Sequence, residues 1–498
     1  MVTVSQKTAT ASIWTIGGKF LARILDFVTL LVLARLLSPD DFGLVAIATS
    51  LLVIVEAVLD LPLVQALVRQ SELSRAILKT AFTLSLLRGA VIVAAMLLMA
   101  WPFAWFYDEP RLFALIAVIS LAPAMRSINS PGMVVFMQAF DFRRDFILDI
   151  GGKFLTLICS VSVAYMTGSY WSLAVGTVVG PAFSAVVSYI FAPVRPGFSL
   201  SEWGLFRDMI GWNSVAQILT SLTWQMDRLL LPRFTPLSTF AAFSVADNLA
   251  SITHQTFVNP LMRPLMVAFA RLDDKPKLQV AYMKATGAIT LVATPLLIVL
   301  ALLAEPLIHI ILGEKWVMVA PILQVLCLVN LFSLPANLMP ALAMVLDKTR
   351  YLALRTCLEF AVRTPVAIIA IPMLGITGAF YARFVTVFIA YVVSVIITKR
   401  LIGLSCLAQF WAFAKPLAVG IPAAAFLFSI EPQLSSMAPS FELAVVLVMA
   451  GGAALVFYWV SALLVWRLMG RPAGLEALVV QRLCAFVPVL PFQKGVSR

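Results

Sequence analysis

The chain has 498 residues, of which 62% are hydrophobic and only 12% are charged, and its mean hydropathy is +1.00. Soluble domains devote about a quarter of their residues to Asp, Glu, Lys and Arg, twice the share found here. The net charge of +12 would suggest nucleic acid in a soluble chain, but the apolar residues form blocks of about 20, enough to span a bilayer as a helix. The composition excludes a soluble enzyme and a nucleic-acid-binding protein, and it predicts an all-α polytopic membrane protein.

Apolar runs separated by charged or Pro/Gly-rich breaks predict about 14 transmembrane helices. Their approximate bounds are 12–37, 41–67, 77–101, 111–137, 146–167, 170–192, 208–233, 239–266, 283–312, 317–345, 351–372, 375–398, 410–430 and 441–469. Lys and Arg gather on alternate loops, so both termini are expected in the cytoplasm. The first run contains Lys19 and Arg23, which a cleavable signal would lack, so an uncleaved first span is expected.

The chain resembles itself at a shift of 198 residues, which indicates an internal repeat. Arg35, Phe42 and Pro62 recur as Arg233, Phe240 and Pro260. An even number of spans in each unit predicts a parallel repeat of two six-helix lobes plus a C-terminal helix pair, and such paired bundles are typical of transporters. The predicted parts are an N-terminal lobe 1–192, an interfacial linker 193–208, a C-terminal lobe 209–400, an extra helix pair 401–469 and a cytoplasmic tail 470–498.

Ionisable side chains inside a bilayer are costly, so each is a candidate functional residue. The cationic candidates for lining a substrate cavity are Lys19, Arg23, Lys153, Arg228, Arg363 and Arg383. Several follow helical spacing: one face of the first span carries Lys19, Arg23 and Asp26, and the fifth span places Asp149 four residues before Lys153. A basic cavity suits a multiply charged anion such as a pyrophosphate. Snorkelling to the headgroups is an equally good interpretation for four other arginines, Arg88, Arg126, Arg263 and Arg355.

The intramembrane carboxylates have two interpretations. Asp26, Asp227, Asp247 and Glu359 are candidates for coupling or charge balance, and Glu56 and Asp60 belong to the same set. They could relay protons or bind a coupling cation, or they could neutralise neighbouring Arg and Lys, for example within one helix. The hinge candidates are Pro62 and Pro260, because proline frees a carbonyl and permits a bend.

Two familiar types of site are not expected. Ile-Gly-Gly-Lys-Phe-Leu occurs at 16–21 and again at 150–155, but both copies lack the earlier Gly and the following Ser/Thr of a phosphate-binding loop. These Gly pairs are better explained as points of close helix packing. Five widely spaced cysteines and two histidines indicate neither a disulfide nor a metal site.

Four segments resemble those of a known family. They are Ala-Arg-Leu-Leu-Ser-Pro-Asp-Asp-Phe-Gly-Leu at 34–44, Phe-Tyr-Asp-Glu-Pro-Arg-Leu at 106–112, Gln-Met-Asp-Arg-Leu-Leu-Leu-Pro-Arg-Phe at 225–234 and Leu-Gly-Glu-Lys-Trp-Val-Met-Val-Ala-Pro-Ile-Leu at 312–323. Their order and spacing are similar to those of bacterial polysaccharide exporters, the oligosaccharide-lipid flippases of the multidrug/oligosaccharidyl-lipid/polysaccharide superfamily. The resemblance runs from about residue 10 to 400.

The resemblance implies a flippase with alternating access between two lobes around a basic cavity. Its substrates would be polyprenyl-pyrophosphate-linked oligosaccharide repeat units for exopolysaccharide or lipopolysaccharide O-antigen synthesis, moved across the bacterial inner membrane. Sugars need hydrogen-bonding groups and aromatic faces, for which Trp14, Trp224, Asn213 and Gln217 are candidates, although Trp also commonly serves in packing. The family supplies no catalytic residue that can be carried over, so no enzyme is expected.

The resemblance also bears on cofactors and partners. No cofactor is expected, and coupling to protons or sodium is left open. The implied partners are the lipid-linked oligosaccharide, membrane lipids, a polysaccharide polymerase and a chain-length regulator, with no nucleic acid. The alternatives are a multidrug/cation antiporter, which predicts a mainly acidic cavity, and a lipid II flippase, which shares the basic one. A membrane polymerase or glycosyltransferase would need a large extramembrane loop or domain.

Overall fold

A computed structural model describes residues 4–61, 63–68, 70, 73–139, 141–192, 197–207, 211–272 and 274–470. This described part consists of helices and their connections, without strands. Ten of its helical segments are long and apolar enough to cross a bilayer, counting Val319–Val345 as one segment. The prediction of an all-α polytopic membrane protein is therefore confirmed, while the number of fourteen spans stays a prediction.

The helices have the following bounds in chain order. They are α1 (Val4–Leu36), α2 (Pro39–Val58), α3 (Leu63–Val68), α4 (Arg75–Phe106), α5 (Arg111–Ile119), α6 (Leu121–Ser127), α7 (Met133–Gln138), α8 (Arg143–Thr167), α9 (Trp171–Phe191), α10 (Trp203–Arg207), α11 (Gly211–Phe234), α12 (Leu237–Thr253), α13 (Asn259–Ala270), α14 (Lys275–Leu302), α15 (Ala304–Ile311), α16 (Val319–Ser333), α17 (Met339–Val345), α18 (Thr349–Leu374), α19 (Ile376–Ile402), α20 (Cys406–Ser435) and α21 (Phe441–Leu468). One turn of π-helix, His254–Val258, joins α12 to α13.

Several predicted spans differ from the observed helices. The predicted span 111–137 is divided into α5, α6 and α7. The segment between α6 and α7 contains Pro131, which lacks a backbone N–H, followed by Gly132, and both residues disfavour a continuous helix. The predicted span 41–67 is divided into α2 and α3, and α1 begins at Val4, earlier than expected. Apolar composition thus located these segments without revealing their interruptions.

The start of α2 explains one of the segments that carry the family resemblance. The Ser38 side chain accepts a hydrogen bond from the Asp41 backbone N–H, and the Asp41 carboxylate accepts one from the Ser38 N–H, both at 3.2 Å. Pro39 occupies the first turn, where its missing N–H costs nothing. This capping box stabilises the helix start by about 1 kcal/mol. The motif at 34–44 is therefore a signal for the turn between α1 and α2.

The first of two compact units comprises residues 1–241 and 367–376. Within it α8 packs against α9, and α1 against α8. Small residues permit the close approach: a Cβ added at Gly176 would lie 2.2 Å from Ser160 Oγ, and one at Gly152 would lie 3.1 Å from the Gly180 carbonyl oxygen. The interpretation of the second Gly-Gly pair as a packing point is therefore confirmed at Gly152.

The second unit comprises residues 242–366 and 377–498. Its core forms where α14 packs against α16 and α20, and α20 against α21. Leu291, Leu427, Leu447 and Tyr458 are among the buried residues of this core. The buried Tyr458 hydroxyl has a backbone acceptor, donating to the Pro416 carbonyl at 3.3 Å. The lobe boundaries inferred from the repeat stay a prediction.

Candidate functional sites in the membrane-spanning helices

The polar faces predicted for the first and fifth spans lie together in the first unit. Lys153 Nζ of α8 lies 2.5 Å from Asp26 Oδ1 of α1, and each side chain is 42% exposed. Asp149 interacts electrostatically with Lys153 and with Lys19. We call Lys19, Arg23, Asp26, Asp149 and Lys153 the α1–α8 polar stripe. Its three cations exceed its two carboxylates, so the stripe carries a net positive charge.

Helix geometry accounts for the stripe. Residues spaced by four and then three share one face of α1, and Lys19 and Arg23 are both exposed there. The adjacent contact between the two helices is aromatic, with the Trp14 and Phe146 rings 5.1 Å apart in an edge-to-face arrangement. Trp14, a candidate for sugar contact, therefore also has a packing role.

A second cluster of charges lies between α2, α4 and α6 and was absent from the predicted cavity set. Arg126 donates to Glu56 at 2.6 Å, and Arg88 donates to Asp60 at 3.1 Å and to the Leu59 carbonyl at 2.7 Å. A cavity of about 320 Å³ adjoins Glu56, Arg88 and Arg126. The available signal was two carboxylates close in sequence, Glu56 near the end of α2 and Asp60 just after it, together with two arginines on other spans.

Asp227 and Arg228 are adjacent on α11 but occupy different surroundings. Asp227 is fully buried, whereas Arg228 is half-buried. The reason is that neighbouring residues leave a helix about 100° apart. Trp224, one turn earlier, is 55% exposed. The side chains of Asn213 and Gln217 lie outside the described residues.

In the second unit, Arg383 of α19 and Asp247 of α12 form a largely buried ion pair. The Nη1–Oδ1 distance is 2.5 Å, and the side chains are 8% and 21% exposed. The Arg383 guanidinium also lies over the Phe243 ring, 4.8 Å from its centroid, an arrangement that favours a cation. This pair joins two of the predicted residues across 136 positions of sequence.

The remaining predicted charges of this unit lie on α18. Arg355 donates to Glu359 at 2.6 Å and to the Ala336 carbonyl at 3.0 Å. The intrahelical interpretation of Glu359 is therefore confirmed for Arg355. Arg363 is only 1% exposed. Because this guanidinium is buried, opening of the surrounding helices would be needed before a substrate could reach it.

Of the two hinge candidates, Pro260 lies within the described residues. Pro62 lies outside the described residues. Pro260 is the second residue of α13 and follows directly after the π-helical turn His254–Val258. π-Turns locally break the regular hydrogen-bond ladder and often occur at functional sites. The role of Pro260 as a hinge stays a prediction. Within the described ranges, no three His, Cys, Asp or Glu side chains form a group suited to a metal ion.

Long apolar helices with ionisable groups between them define a polytopic membrane protein with polar sites inside its helical bundle. Two solved structures share this fold. The lipid II flippase MurJ in an inward closed conformation has a TM-score of 0.69 at 13% identity, covering 92% of this chain and 100% of MurJ. An inward-facing multidrug resistance MATE family transporter of the MOP superfamily has a TM-score of 0.62 at 14% identity, covering 76% of this chain and 95% of that one.

Sequence comparison identifies the family. Residues 32–321, more than half of the chain, match the family described as "Polysaccharide biosynthesis protein", and the chain belongs to that family. It is 26% identical over 331 residues to the succinoglycan biosynthesis transport protein ExoT of Rhizobium meliloti, covering 66% of this chain and 67% of ExoT. It is 24% identical over 353 residues to the lipopolysaccharide biosynthesis protein WzxC of Escherichia coli, covering 69% of this chain and 71% of WzxC. The resemblance drawn from the four short segments is confirmed.

Proposed function

We propose that this protein is a flippase for polyprenyl-pyrophosphate-linked oligosaccharide repeat units. It would move them by alternating access from the cytoplasmic to the periplasmic leaflet of a bacterial inner membrane, with both of its own termini in the cytoplasm. The repeat units would serve exopolysaccharide or lipopolysaccharide O-antigen synthesis. The names of ExoT and WzxC, a transport protein and a lipopolysaccharide biosynthesis protein, support this assignment.

The observation that carries the proposal is the α1–α8 polar stripe. Lys153 is 42% exposed despite its pairing with Asp26, and Lys19 and Arg23 are exposed on the helix face of α1 that carries Asp26. Ammonium and guanidinium groups bind phosphate oxygens directly. A pyrophosphate can therefore replace Asp26 as the partner of Lys153 while the other two cations add charge to the same site.

The charge pairs argue against a cation antiporter, which would have the same fold. Five carboxylates in the spanning helices or just beyond a helix end lie within hydrogen-bonding distance of an Arg or Lys: Asp26, Glu56, Asp60, Asp247 and Glu359. A cationic substrate would have to displace these internal cations. A lipid II flippase is the second candidate, because its substrate carries the same pyrophosphate and differs in the sugar.

The proposal also covers partners and coupling. A polymerase that consumes the flipped units and a chain-length regulator would be the physical partners. No catalytic group and no cofactor are required, because translocation breaks no covalent bond. The energy source would be a proton or sodium gradient acting on a carboxylate such as Asp26, because a coupling cation bound there would neutralise one negative charge of the stripe.

The test is thermal stabilisation of the purified full-length protein by polyprenyl-pyrophosphate-linked oligosaccharide, undecorated polyprenyl lipid or cationic dyes. A ligand that binds the folded state raises Tm according to its concentration relative to Kd. We expect the pyrophosphate compound to raise Tm, and we expect Lys153→Ala and Arg228→Ala to remove most of that shift. The matched control is Lys399→Ala, which deletes an exposed lysine in the last turn of α19 and should retain the shift.

Two results would overturn the proposal. Stabilisation by cationic dyes alone would instead indicate a cation antiporter. If the pyrophosphate compound raises Tm equally for the Lys153→Ala and wild-type proteins, the α1–α8 polar stripe is not part of the substrate site. Comparing lipid II with an exopolysaccharide repeat unit on the same carrier separates the two flippase candidates, since only the sugar differs.

A further inference from the structure

A continuous row of polar side chains follows α12, the π-helical turn and α13 in the second unit. Its members succeed one another at spacings of three or four residues, so they share one helix face. We call this row the α12–α13 polar face, and it consists of Asn248, Ser251, Gln255, Asn259 and Arg263. It extends about 22 Å along the helix and lies within one of the spans predicted from the sequence.

The polar face is accessible, whereas another side of the same helix is buried. Asn248, Asn259 and Arg263 are exposed, while Ala246 and Leu249 are buried in the second unit. Amide and guanidinium groups are costly against acyl chains, and in spanning helices such groups face a bundle interior or a water-filled cavity. The polar face is therefore suited to water or a polar ligand and not to lipid.

A separate apolar flank of this helix is the part suited to lipid. Phe257 and Leu261 are 40% and 44% exposed. Each lies two residues from Asn259, so its side chain leaves the helix about 160° away from that amide. Exposed polar and exposed apolar residues are thus sorted to different sides of one helix, as expected where one side borders a polar cavity and the other borders the bilayer.

The internal repeat indicates that the fold does not require this polarity. At the shift of 198 residues, the first copy carries only apolar residues at the three central positions of the face, Val53, Ala57 and Leu61. Val53 is 42% exposed, so an apolar side chain is compatible with an accessible position here. The polar residues of the second copy at these positions are Ser251, Gln255 and Asn259. Their polarity therefore points to a ligand.

Hydrogen bonds fix the helix on which the face lies. Asn330 of α16 donates to the Ala250 carbonyl of α12 at 3.0 Å, which ties the segment before the π-helical turn to its neighbour. On the face itself, Gln255 Nε2 donates to Ser251 Oγ at 3.0 Å. π-Turns often occur at functional sites, and a polar face held in this way needs less ordering when a ligand binds.

The chemistry of the face fits sugar hydroxyls. An amide side chain presents two N–H donors and a carbonyl acceptor, and a hydroxyl group both donates and accepts. The face contains no carboxylate, and its single cation, Arg263, lies at one end. A pyrophosphate would meet only that cation and a cationic ligand would meet no opposite charge, whereas a neutral, hydroxyl-rich ligand matches the central positions.

We propose that the α12–α13 polar face binds the oligosaccharide of the lipid-linked substrate, with Ser251, Gln255 and Asn259 hydrogen-bonded to sugar hydroxyls. This inference rests on the proposed function and deepens it by assigning sugar recognition to the second unit. The α1–α8 polar stripe, which has no residue in common with this face, keeps the pyrophosphate. The two parts of the substrate are therefore recognised by different residues.

Binding of two probes to the purified full-length protein in detergent tests the proposal. One probe is polyprenyl pyrophosphate carrying a neutral hexose trisaccharide, and the other is the same lipid without sugar. We expect the wild-type protein to bind the glycosylated probe with a Kd at least about tenfold lower. The triple variant Ser251→Val/Gln255→Ala/Asn259→Leu introduces the residues of the first copy and should reduce this ratio to about two or less, because the hydrogen bonds to the sugar are lost.

Two further variants make the test specific. Thr256→Val is the matched control, because Thr256 is exposed on the same turn but leaves the helix about 100° from Gln255; it should keep the full ratio. Lys153→Ala should weaken binding of both probes by the same factor and leave their ratio unchanged. If the triple variant fails to fold, Asn259→Leu alone should still lower the ratio about threefold.

The outcomes separate this inference from the proposed function. If the wild-type protein binds both probes equally, or if the triple variant and Asn259→Leu keep the full ratio, the face does not recognise sugar, while the proposed pyrophosphate site stands. An equal loss in Thr256→Val would also overturn the assignment, because the effect would not belong to the face. If the wild-type protein binds neither probe, the proposed function itself is wrong.

Discussion

Lys153 Nζ lies 2.5 Å from Asp26 Oδ1, which connects α8 to α1 across 127 residues of sequence. Each side chain remains 42% exposed, so the pair is formed yet accessible. A pair with this exposure contributes little to stability compared with a buried one. In the proposed function this pair exchanges partners with a phosphate, a role that a weak pair permits more readily than a strong one.

A double-mutant cycle measures the strength of this pair. We expect Lys153→Ala and Asp26→Ala each to lower stability modestly, and the double variant to cost about 0.5–1 kcal/mol less than the sum of the two. Thermal unfolding in detergent at low and high salt is the measurement. Strictly additive losses at both salt concentrations would mean that the two charges do not interact.

The buried pair in the second unit should behave differently. Arg383→Ala removes the cation that pairs with the Asp247 carboxylate, which is 21% exposed, and should destabilise the protein by about 3 kcal/mol. Replacing both residues with Met and Leu should cost much less, since no uncompensated charge remains. The control is Arg111→Ala, because the Arg111 side chain is 49% exposed. If Arg383→Ala and Arg111→Ala lower Tm equally, the largely buried ion pair contributes no more to stability than the exposed one.

The contact between α8 and α9 predicts a suppressor pair. A Cβ at Gly176 would lie 2.2 Å from Ser160 Oγ, so Gly176→Ala should destabilise the protein by about 1–3 kcal/mol through overpacking. Ser160→Ala removes the clashing oxygen and should recover much of the loss. Gly452→Ala in α21 is the matched control, because nothing lies within 4 Å of its Cβ position, and it should be neutral or slightly stabilising. The interpretation fails if Ser160→Ala does not suppress Gly176→Ala.

The turn between α4 and α5 predicts a pH dependence. Arg111 donates to both oxygens of Glu109, at 2.7 and 2.8 Å, and this hydrogen bonding lowers the pKa of Glu109 below its ordinary value of 4.5, although burial opposes the shift. Because the folded-state pKa is the lower one, the contribution is fully present above about pH 4.5 and is lost as pH falls through the folded-state value. Glu109→Gln should therefore reduce the loss of Tm between about pH 5 and 3.

Arg111→Gln is the partner variant for this prediction, since it removes the charged guanidinium and leaves the Glu109 carboxyl in place. It should reduce the acid-dependent loss of Tm to a similar extent. Parallel curves for the wild-type protein and both variants would show that the turn contributes nothing to the acid sensitivity.

Much of the architecture could be predicted because it depends on local properties. Ser38 and Asp41 signal a helix start through contacts three residues apart, and a block of about 20 apolar residues indicates a span without reference to its neighbours. The interruption near Pro131 was harder to foresee, because prolines such as Pro295 lie inside continuous helices of this same chain. Surrounding packing decides which prolines break a span.

The sequence by itself determined the class of protein and the helical faces that carry charge, because hydrophobicity and the 3.6-residue period act along one segment at a time. It could not determine which charges meet. Lys153 has Asp149 one turn away on its own helix, yet its ion pair is with Asp26, and Arg126 pairs with Glu56 from 70 positions earlier. Only the tertiary structure decides such partners, because they depend on which helix faces pack together, and close packing at residues such as Gly152 and Gly89 sets that choice.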